Sequence, residues 1–562
     1  MYVVATAGHV DHGKSTLVQR LTGMWPDRLA EEQRRGLTID LGFAWTSLGG
    51  KQIAFVDVPG HERFVANMLA GVGAVAPRNP VMFVVAATEG WMPQSEEHLA
   101  AMRALGVQHV LVVISKADLA DPARAVAQVH ERLPGAPVVL GTDMDRVRAQ
   151  LLSLVDGLPV PDRAADVRLW VDRSFTVRGA GTVVTGTLAA GTIRVGDELE
   201  HAGRRVTVRG VQSLGRDETE VGAVARVAVN LRGVDRQLIG RGDTLRTPGA
   251  WLDTAELDVA LREPGELHRE LMLHVGSAAV PVFVRSLGEA AARLRLGHAL
   301  PLRVGDIGLL RDPGEHRIAA GIEVLDVRPP ALRRRGAARE RAAELATGRA
   351  RPPACARADE LRAMGFEATG QRVGDWVVDP QWWSQRRQQM TAAVKQWVAE
   401  HDVAAGMPLE TVRQRTGLPS TDLVAHLLDG TGLEVVDGRV RSPGSGLPPR
   451  IDKALRTLEE WLAAEPFRAP DADELAELKL GAQELAAAVR VGRLTRIADG
   501  VVLGPDALDR AADMLRSLPQ PFTVAEAKRA LGTTRRVAVP LLEQLDARRI
   551  TRRKDDSTRT VV

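Results

Sequence analysis

A glycine-rich segment near the start of the chain constrains its fold more than any other feature of the sequence. The segment fits the pattern GxxxxGK[ST] and lies between the apolar runs 3–7 and 16–21. In such a loop, backbone N–H groups at a helix start wrap a phosphate, the lysine neutralises phosphate oxygens, and the hydroxyl binds Mg²⁺. We therefore predict a strand, a nucleotide-binding loop and a helix. The residues of the predicted loop are Gly8, His9, Val10, Asp11, His12, Gly13, Lys14, Ser15 and Thr16.

A second motif ends the apolar run 53–58, which we predict to be a strand. At this position the carboxylate of Asp57 can hold the shell of a Mg²⁺ ion, and the amide of Gly60 can sense a terminal phosphate. Thr38 offers a second hydroxyl to the metal. The predicted metal ligands are therefore Ser15, Thr38 and Asp57.

A third motif, at the end of the apolar run 110–115, indicates which base the nucleotide carries. It consists of Ser115, Lys116 and Asp118. A carboxylate at Asp118 accepts two hydrogen bonds from guanine, whereas adenine has neither donor and would leave the carboxylate unpaired. The three motifs in this order predict a site that binds GTP and GDP.

The spacing of apolar runs changes twice along the 562 residues. Up to about residue 160, short apolar strands alternate with helix-like segments, which is typical of a parallel sheet covered by helices. From 167 to 327, shorter alternating runs punctuated by glycines predict two β-barrels, divided near 245–249. After residue 330 the pattern becomes helical and repeats the order helix, turn, helix, hairpin, which is the plan of a winged helix.

These changes predict a multidomain chain with an α/β P-loop GTPase domain, two β-barrel domains and tandem winged-helix domains. Pro540 lies inside a helical pattern of the last module and is expected to shorten or kink that helix. The predicted domains are 1–162 for GTP binding, 163–249 and 250–328 for the barrels, 329–390 for a linker with the first winged helix, and 391–445, 446–505 and 506–562 for the other winged helices.

Composition and charge narrow the possible environments and partners. No run approaches the ~18 apolar residues of a membrane helix, so no membrane partner is expected. The apolar opening leads directly into the glycine motif and is predicted to be a strand and not a signal peptide. The single cysteine, Cys355, cannot form an intrachain disulfide and indicates a reducing cytoplasm. Net charge is only +3, but ten basic residues against four acidic ones between 528 and 559 predict a nucleic-acid partner.

Two sets of segments resemble known translation factors. The segments 8–15, 35–40 and 57–64 resemble translational GTPases of the elongation factor Tu type. The stretches 5–14, 35–43 and 67–73, continued by 171–187 and a winged-helix tail, are more similar to bacterial selenocysteine-specific elongation factors. The resemblance implies a cytoplasmic, monomeric GTPase that uses Mg²⁺ and delivers selenocysteinyl-tRNA to the ribosome at a UGA codon. It also implies recruitment by an mRNA hairpin, the SECIS element, through the C-terminal winged helices.

The resemblance assigns roles to single residues of the nucleotide site. His61 is similar to the residue that positions the attacking water, with Val10 and Leu37 as the apolar gate. Ser115 stands where many GTPases have asparagine, which removes an amide that braces the phosphate loop. The usual Ser-Ala pair of the guanine site is absent near the two positions that we assign to the base, Gly141 and Thr142.

The resemblance also places the esterified amino acid between the GTPase domain and the first barrel. The matching residues Asp172 and Arg173 are consecutive, so they can line one pocket only if their strand bends or bulges. On the neighbouring strand, alternation puts Asn230 and Arg232 on one face. Arg173 is predicted to be the leading cation for an ionised selenol, with Asp172 holding either Arg173 or the α-amino group, and Arg232 is the second candidate.

The basic residues of the tail are predicted to contact RNA. In a helix-turn-helix module the start of the second helix projects toward the nucleic acid. Because side chains cannot enter the deep, narrow major groove of an RNA helix, we expect contacts to backbone phosphates and unpaired bases of a hairpin. The predicted RNA-binding residues are Arg535, Arg536, Arg548, Arg549, Arg552 and Arg553.

Two other functions agree with parts of the sequence. A metabolic GTPase subunit, such as the sulfate-activating type, shares the GTPase domain and barrels, but the winged repeats and basic tail disfavour it. A non-enzymatic winged-helix DNA regulator is disfavoured by the complete set of GTPase motifs. Binding of selenocysteinyl-tRNA compared with seryl-tRNA, in the presence of GTP, discriminates among the three.

Overall fold

The computed structural model describes residues 1–26, 40–59, 67–68, 71, 80–179, 181–348, 350–400, 406–442, 447, 449–555 and 557–562. The chain divides into two compact units, Met1–Thr369 and Gly370–Val562. Among the described residues, no helix combines the length and the apolar character needed to cross a membrane.

The N-terminal domain is built on a six-stranded sheet. Its strand Val81–Ala86 is buried at every residue, which suits a parallel sheet with helices on both faces. The strands are parallel except at one edge, where Gly42–Leu48 runs antiparallel to Lys51–Asp57. In sheet order the strands are Gly42–Leu48, Lys51–Asp57, Tyr2–Ala7, Val81–Ala86, Val110–Ser115 and Val138–Leu140, and the described helices are Lys14–Thr22, Pro93–Ala104, Ala123–Arg132 and Met144–Asp156.

Six strands close into a first barrel, because Glu198–His201 pairs with both Arg204–Ser213 and Thr244–Arg246. Every second residue of strand Ala225–Arg232 is buried, and these side chains fill the barrel core. In barrel order the strands are Glu198–His201, Thr244–Arg246, Arg168–Val177, Gly181–Leu188, Ala225–Arg232 and Arg204–Ser213, with the shorter elements Thr192–Arg194, Arg216–Glu218, Glu220–Gly222 and Arg236–Leu238 outside this ring.

A second closed barrel follows and is joined to the first by ion pairs. Arg168 of the first barrel donates two hydrogen bonds of 2.6 Å to Asp306 of the second. Arg341 of helix Ala337–Leu345 donates to Asp258 at 2.7 Å, which fixes this helix against the second barrel. In barrel order the strands are Leu252–Arg262, Ala291–Leu302, Ala278–Ser286, Glu270–Val275, Ile307–Asp312 and Arg317–Asp326, and the first unit also contains strand Cys355–Arg357 and helix Ala358–Met364.

The second unit consists of small helical modules with hairpins. In the last module, the Thr523 hydroxyl accepts a hydrogen bond from the Glu526 N–H, and the Glu526 carboxylate accepts one from the Thr523 N–H. This reciprocal pair caps the start of helix Val524–Ala530. Its second helix, Arg535–Ala547, runs through Pro540 and is not shortened there. The preceding elements are Gln371–Val373, Trp376–Val378, Pro380–Glu400, Met407–Pro408, Leu409–Thr416, Asp422–Leu427, Glu434–Val436, Arg439–Arg441, Pro449–Ala464, Ala472–Glu477, Ala482–Arg490, Thr495–Ala498, Val501–Leu503, Ala507–Arg516 and Phe522–Thr523, and the last hairpin is Thr551–Arg553 with Thr558–Val561.

This architecture confirms the predicted fold class, a P-loop GTPase domain with two barrels and winged-helix modules. The first predicted winged module, 329–390, extends across the division between the two units at residue 369. Its boundaries, like the other predicted domain boundaries, stay predictions.

The last two winged modules have one hydrophobic core. Leu485 and Leu494 of one module belong to the same buried cluster as Leu541 and Leu545 of the other. The Gln544 side chain donates to the Ile497 carbonyl at 3.2 Å, so a hydrogen bond also links the modules. We infer that these two modules form one rigid body.

Leu541→Ala is expected to destabilise both modules together, because Leu541 is fully buried in their common core. Truncating such a side chain costs about 2–5 kcal/mol. Hydrogen exchange of the full chain should show lost protection in helices Ala482–Arg490 and Val524–Ala530 alike. Met514→Ala, at a partly exposed position, is the matched control; lost protection in the last module alone would contradict a common core.

Candidate functional site

The predicted phosphate loop connects strand Tyr2–Ala7 to helix Lys14–Thr22, as the sequence indicates. Gly8 has a φ of +125°, and a Cβ there would collide with the carbonyl oxygen of Val84. Gly13 caps the helix with a φ of +80°. Both glycines are therefore required by the backbone path, which no other residue follows without strain.

The side chain of Lys14 turns into this loop. Its Nζ donates to the carbonyl oxygens of Gly8 at 3.0 Å and His9 at 2.7 Å. The ammonium group and the N–H groups of the helix start thus lie at one place, where they can bind a phosphate.

The buried carboxylate of Asp57 lies beside the start of the same helix. It accepts hydrogen bonds of 2.6 Å from the hydroxyls of Thr6 and Ser15. The structure therefore brings together two of the three predicted metal ligands, and their hydroxyl and carboxylate oxygens are the donors that Mg²⁺ prefers. The third, Thr38, lies outside the described residues, as do Gly60, His61 and Leu37.

The guanine motif is placed at the carboxyl end of strand Val110–Ser115. The Ser115 hydroxyl donates to the His12 carbonyl at 2.6 Å, so the serine braces the phosphate loop, contrary to the expected loss of this brace. Asp118 is exposed, where a base can reach it. The Gly141 N–H donates to the Ile114 carbonyl at 2.7 Å, which fixes the other predicted base segment, that of Gly141 and Thr142, to the same strand.

Two buried histidines support the loop, and sequence analysis assigned a site role to only one of them. His98 accepts the Gly8 N–H at its Nδ1 over 3.0 Å. Burial, with lesser effects of Lys14 and His9, lowers the pKa of His98 to about 3. Burial likewise lowers the pKa of His12 to about 4, so both rings are neutral at pH 7. The feature that could have indicated the role of His98 is its place on the buried face of helix Pro93–Ala104.

The structure confirms the bulge that the predicted amino-acid pocket requires. The register of strand Arg168–Val177 shifts between Val171 and Arg173, so Asp172 and Arg173 leave the regular alternation. The strand of Asn230 and Arg232 is not the neighbouring one, as predicted, because strand Gly181–Leu188 lies between it and Arg168–Val177. Its alternation is as predicted, with Leu231 buried, Asn230 half-buried and Arg232 exposed.

Of the two predicted roles of Asp172, the pairing with Arg173 is not formed. Asp172 instead accepts hydrogen bonds of 2.7 Å from Thr185, on the adjacent strand, and from Arg226, one strand further on. Arg173 donates to Asp40 at 2.9 Å. The two consecutive side chains therefore have separate partners.

Arg226, which sequence analysis did not single out, lies beside Asp172 and Phe43. Its guanidinium lies 3.8 Å from the ring centroid of Phe43, and that of Arg173 lies 5.8 Å from the same ring. Two cations therefore flank one aromatic ring. Alternation would have found Arg226, because it shares a strand face with Asn230 and Arg232.

The tail arginines divide into two groups. Arg536 donates to the Pro470 carbonyl at 2.9 Å and the Gly500 carbonyl at 3.2 Å, both in the preceding module. Arg559 is buried and donates to Asp546 at 2.9 Å. The exposed arginines of the tail are Arg529, Arg535, Arg536, Arg548, Arg549, Arg552 and Arg553, so Arg536 makes its two contacts from an exposed position.

Comparison with known proteins places this geometry in a family. Residues 1–238 match the elongation factor Tu GTP binding domain, and residues 513–560 match the winged helix of elongation factor SelB. A selenocysteine-specific elongation factor of Desulfomicrobium baculatum is 31% identical, with 99% of this chain and 98% of that protein covered. The factor of Escherichia coli K12 is 37% identical over 58% of this chain and 56% of its own length.

Solved structures agree on the fold. The crystal structure of the bacterial selenocysteine-specific elongation factor EF-Sec matches with a TM-score of 0.73 at 24% identity, covering 100% of this chain and 99% of that one. SelB from Methanococcus maripaludis, in complex with the GTP analogue GppNHp, matches 58% of this chain and 79% of its own with a TM-score of 0.50 at 23% identity. Together with the match along the whole chain, these findings confirm the predicted translational GTPase. The chain belongs to the family of selenocysteine-specific elongation factors.

Proposed function

We propose that this chain, in its GTP-bound state, carries selenocysteinyl-tRNA to the ribosome at a UGA codon marked by an mRNA hairpin. We further propose that it acts as a monomer in the cytoplasm. One observation supports the choice of cargo: Arg173 and Arg226 flank Phe43 in the same compact unit as the phosphate loop.

In the proposed nucleotide site, Lys14 and the helix start bind the phosphates. The base is held at Ser115, Lys116, Asp118, Gly141 and Thr142. Ser15, Thr38 and Asp57 would hold Mg²⁺, and the 2.6 Å hydrogen bond between the Ser15 hydroxyl and Asp57 supports this set. The bound ion would neutralise charge on the phosphate oxygens.

In the proposed hydrolysis step, His61 orients a water molecule toward the terminal phosphate. Val10 and Leu37 form the apolar gate through which His61 reaches that water. Hydrolysis releases GDP and phosphate, and the P–O bond is cleaved without a covalent intermediate on the protein. This assignment extends the family resemblance to the positions of this chain.

In the proposed amino-acid pocket, charge separates selenocysteine from serine. A selenol ionises below neutral pH, whereas a hydroxyl stays neutral, so a guanidinium gains a charge-assisted contact only with selenocysteine. We propose Arg173 as the leading cation and Arg226 beside it, with Asp172 holding Arg226 at 2.7 Å. Asn230 and Arg232, further along the strand of Arg226, complete the proposed lining.

In the proposed RNA interface, the exposed arginines of the last module bind phosphates and unpaired bases of the hairpin. Arg535 lies at the first position of helix Arg535–Ala547, and Arg552 and Arg553 lie on strand Thr551–Arg553. Arg536, which bonds two carbonyls of the preceding module, is proposed to hold the two modules together.

His61→Ala is expected to abolish ribosome-stimulated GTP hydrolysis and to leave GTP affinity nearly unchanged, because His61 acts on the water. Loss of a catalytic group of this kind reduces the rate by roughly 10²–10⁴-fold. Single-turnover hydrolysis on ribosomes measures the rate, and equilibrium titration measures affinity. Asp118→Asn should have the opposite effect: it should weaken the preference of the site for guanine and leave the hydrolysis step nearly unchanged. Hydrolysis by the His61→Ala variant at the parent rate would refute the proposed role of His61.

Arg173→Ala and Arg226→Ala are each expected to narrow the affinity gap between selenocysteinyl-tRNA and seryl-tRNA. The loss of a hydrogen bond to a charged group corresponds to about 1.5 kcal/mol, or roughly tenfold. Filter binding with GTP present measures the gap. Arg194→Ala, which removes an exposed arginine from the same barrel, should leave it unchanged. An unchanged gap in both pocket variants would exclude this pocket.

Arg535→Ala is expected to weaken binding of the mRNA hairpin and to flatten its salt dependence. Each lost phosphate contact removes about one unit or less from the slope of log K against log salt. A salt titration of the full chain with the native hairpin and a scrambled-loop RNA measures both quantities. The exposed Arg516→Ala is the matched control. Equal affinity of the parent for the two RNAs would argue against a specific interface.

A further inference from the structure

Asp40 places one carboxylate between two guanidinium groups at the edge of the proposed amino-acid pocket. Its Oδ2 accepts from Arg173 at 2.9 Å, and its Oδ1 accepts from Arg241 at 2.6 Å. Both contacts are hydrogen bonds between a carboxylate oxygen and a guanidinium group, so they are charge-assisted. The carboxylate of Asp40 therefore takes up a donor of Arg173, the proposed leading cation of the pocket.

Arg241 also links Asp40 to strand Arg168–Val177, which carries Asp172 and Arg173. Its Nε donates to the backbone carbonyl of Asp172 at 3.0 Å, and its Nη1 contacts the side-chain oxygen of Asn67. A change at Asp40 therefore acts on Arg173 directly and on the backbone of Asp172 through Arg241.

Arginine and aspartate side chains alternate around this cleft. The cleft has a volume of about 800 Å³, and its lining among the described residues has as many arginines as aspartates. Arg226 is not part of the lining, but it pairs with Asp172 at the edge of the cleft and adds a fourth guanidinium group there. The arginines are Arg173, Arg226, Arg236 and Arg241, and the aspartates are Asp40, Asp172 and Asp243.

We propose that Asp40 is a specificity-determining residue, an internal counter-anion that limits how strongly Arg173 attracts an anionic side chain. This inference rests on the proposed function. A selenolate shares Arg173 with Asp40 and is repelled by its charge, whereas a neutral hydroxyl is little affected. A delivery factor must release its aminoacyl-tRNA. Because Asp40 partly neutralises Arg173, the selenolate is bound less tightly and can be released more easily.

The test is Asp40→Asn, which keeps the size of the side chain and removes its charge. With GTP present, affinity for selenocysteinyl-tRNA should rise by about two- to fivefold, since both partners of the pair are partly exposed. Affinity for seryl-tRNA should stay at the parent value. Asp40→Glu should restore the parent ratio. The gain should disappear when the pH falls below the pKa of the selenol.

Asp243→Asn is the matched control. It changes the cleft by the same charge, but Asp243 accepts the Gly240 N–H at 2.7 Å instead of bonding Arg173. An equal gain in this variant, or no gain in Asp40→Asn, would overturn the role of Asp40 and leave the proposed function standing. Failure of the parent to prefer selenocysteinyl-tRNA would refute the proposed function itself.

If Asp40→Asn does not fold, Arg241→Gln provides the opposite test. Removing the guanidinium of Arg241 takes away one of the two cations that Asp40 contacts, so the pair of Asp40 and Arg173 tightens and the ratio of selenocysteinyl-tRNA to seryl-tRNA affinity should fall. Any effect of Arg241 on the tRNA body cancels in this ratio. An unchanged or increased ratio would contradict the proposal.

Discussion

The buried carboxylate of Asp57 is the constraint on which the nucleotide site depends. An isolated buried charge is very costly, so its oxygens must be satisfied by hydrogen bonds or a cation. Thr6 and Ser15 provide two such bonds, one from the adjacent parallel strand and one from the helix after the phosphate loop. Because Ala5 lies opposite Val56 in that register, the sheet and the loop position each other.

Helix Pro93–Ala104 contacts both the phosphate loop and the second barrel. Its His98 accepts the Gly8 N–H on one side. On the other side Glu97 lies 3.5 Å from Arg311 of the second barrel, and a Cβ on Gly321 would collide with Ala104. The phosphate loop and the second barrel therefore contact the same helix.

The sequence could predict those parts that backbone geometry and chemistry determine locally. These parts are the glycines at positions 8 and 13, Lys14, and the carboxylates of Asp57 and Asp118. Each of their motifs directly follows a strand, so its place at the edge of the sheet could be predicted. The sequence could not predict that Asp172 pairs with Arg226 and Arg173 with Asp40, since these partners are 54 and 133 residues apart in the chain and only the tertiary fold brings them together. Nor could a motif show that the Ser115 hydroxyl reaches the His12 carbonyl.

The arginines of this chain show why a basic count alone says little about a partner. Two of them are buried and paired with carboxylates. Arg293 donates to Asp258 at 2.7 Å, and Arg559 donates to Asp546 at 2.9 Å, so neither guanidinium is available to a partner. Arg536 bonds carbonyls of the neighbouring module. The tail thus contains a buried arginine, Arg559, and exposed ones, of which Arg536 also contacts the neighbouring module. Only an exposed side chain can exchange water for phosphate, so a buried arginine adds to the basic count without offering such a contact.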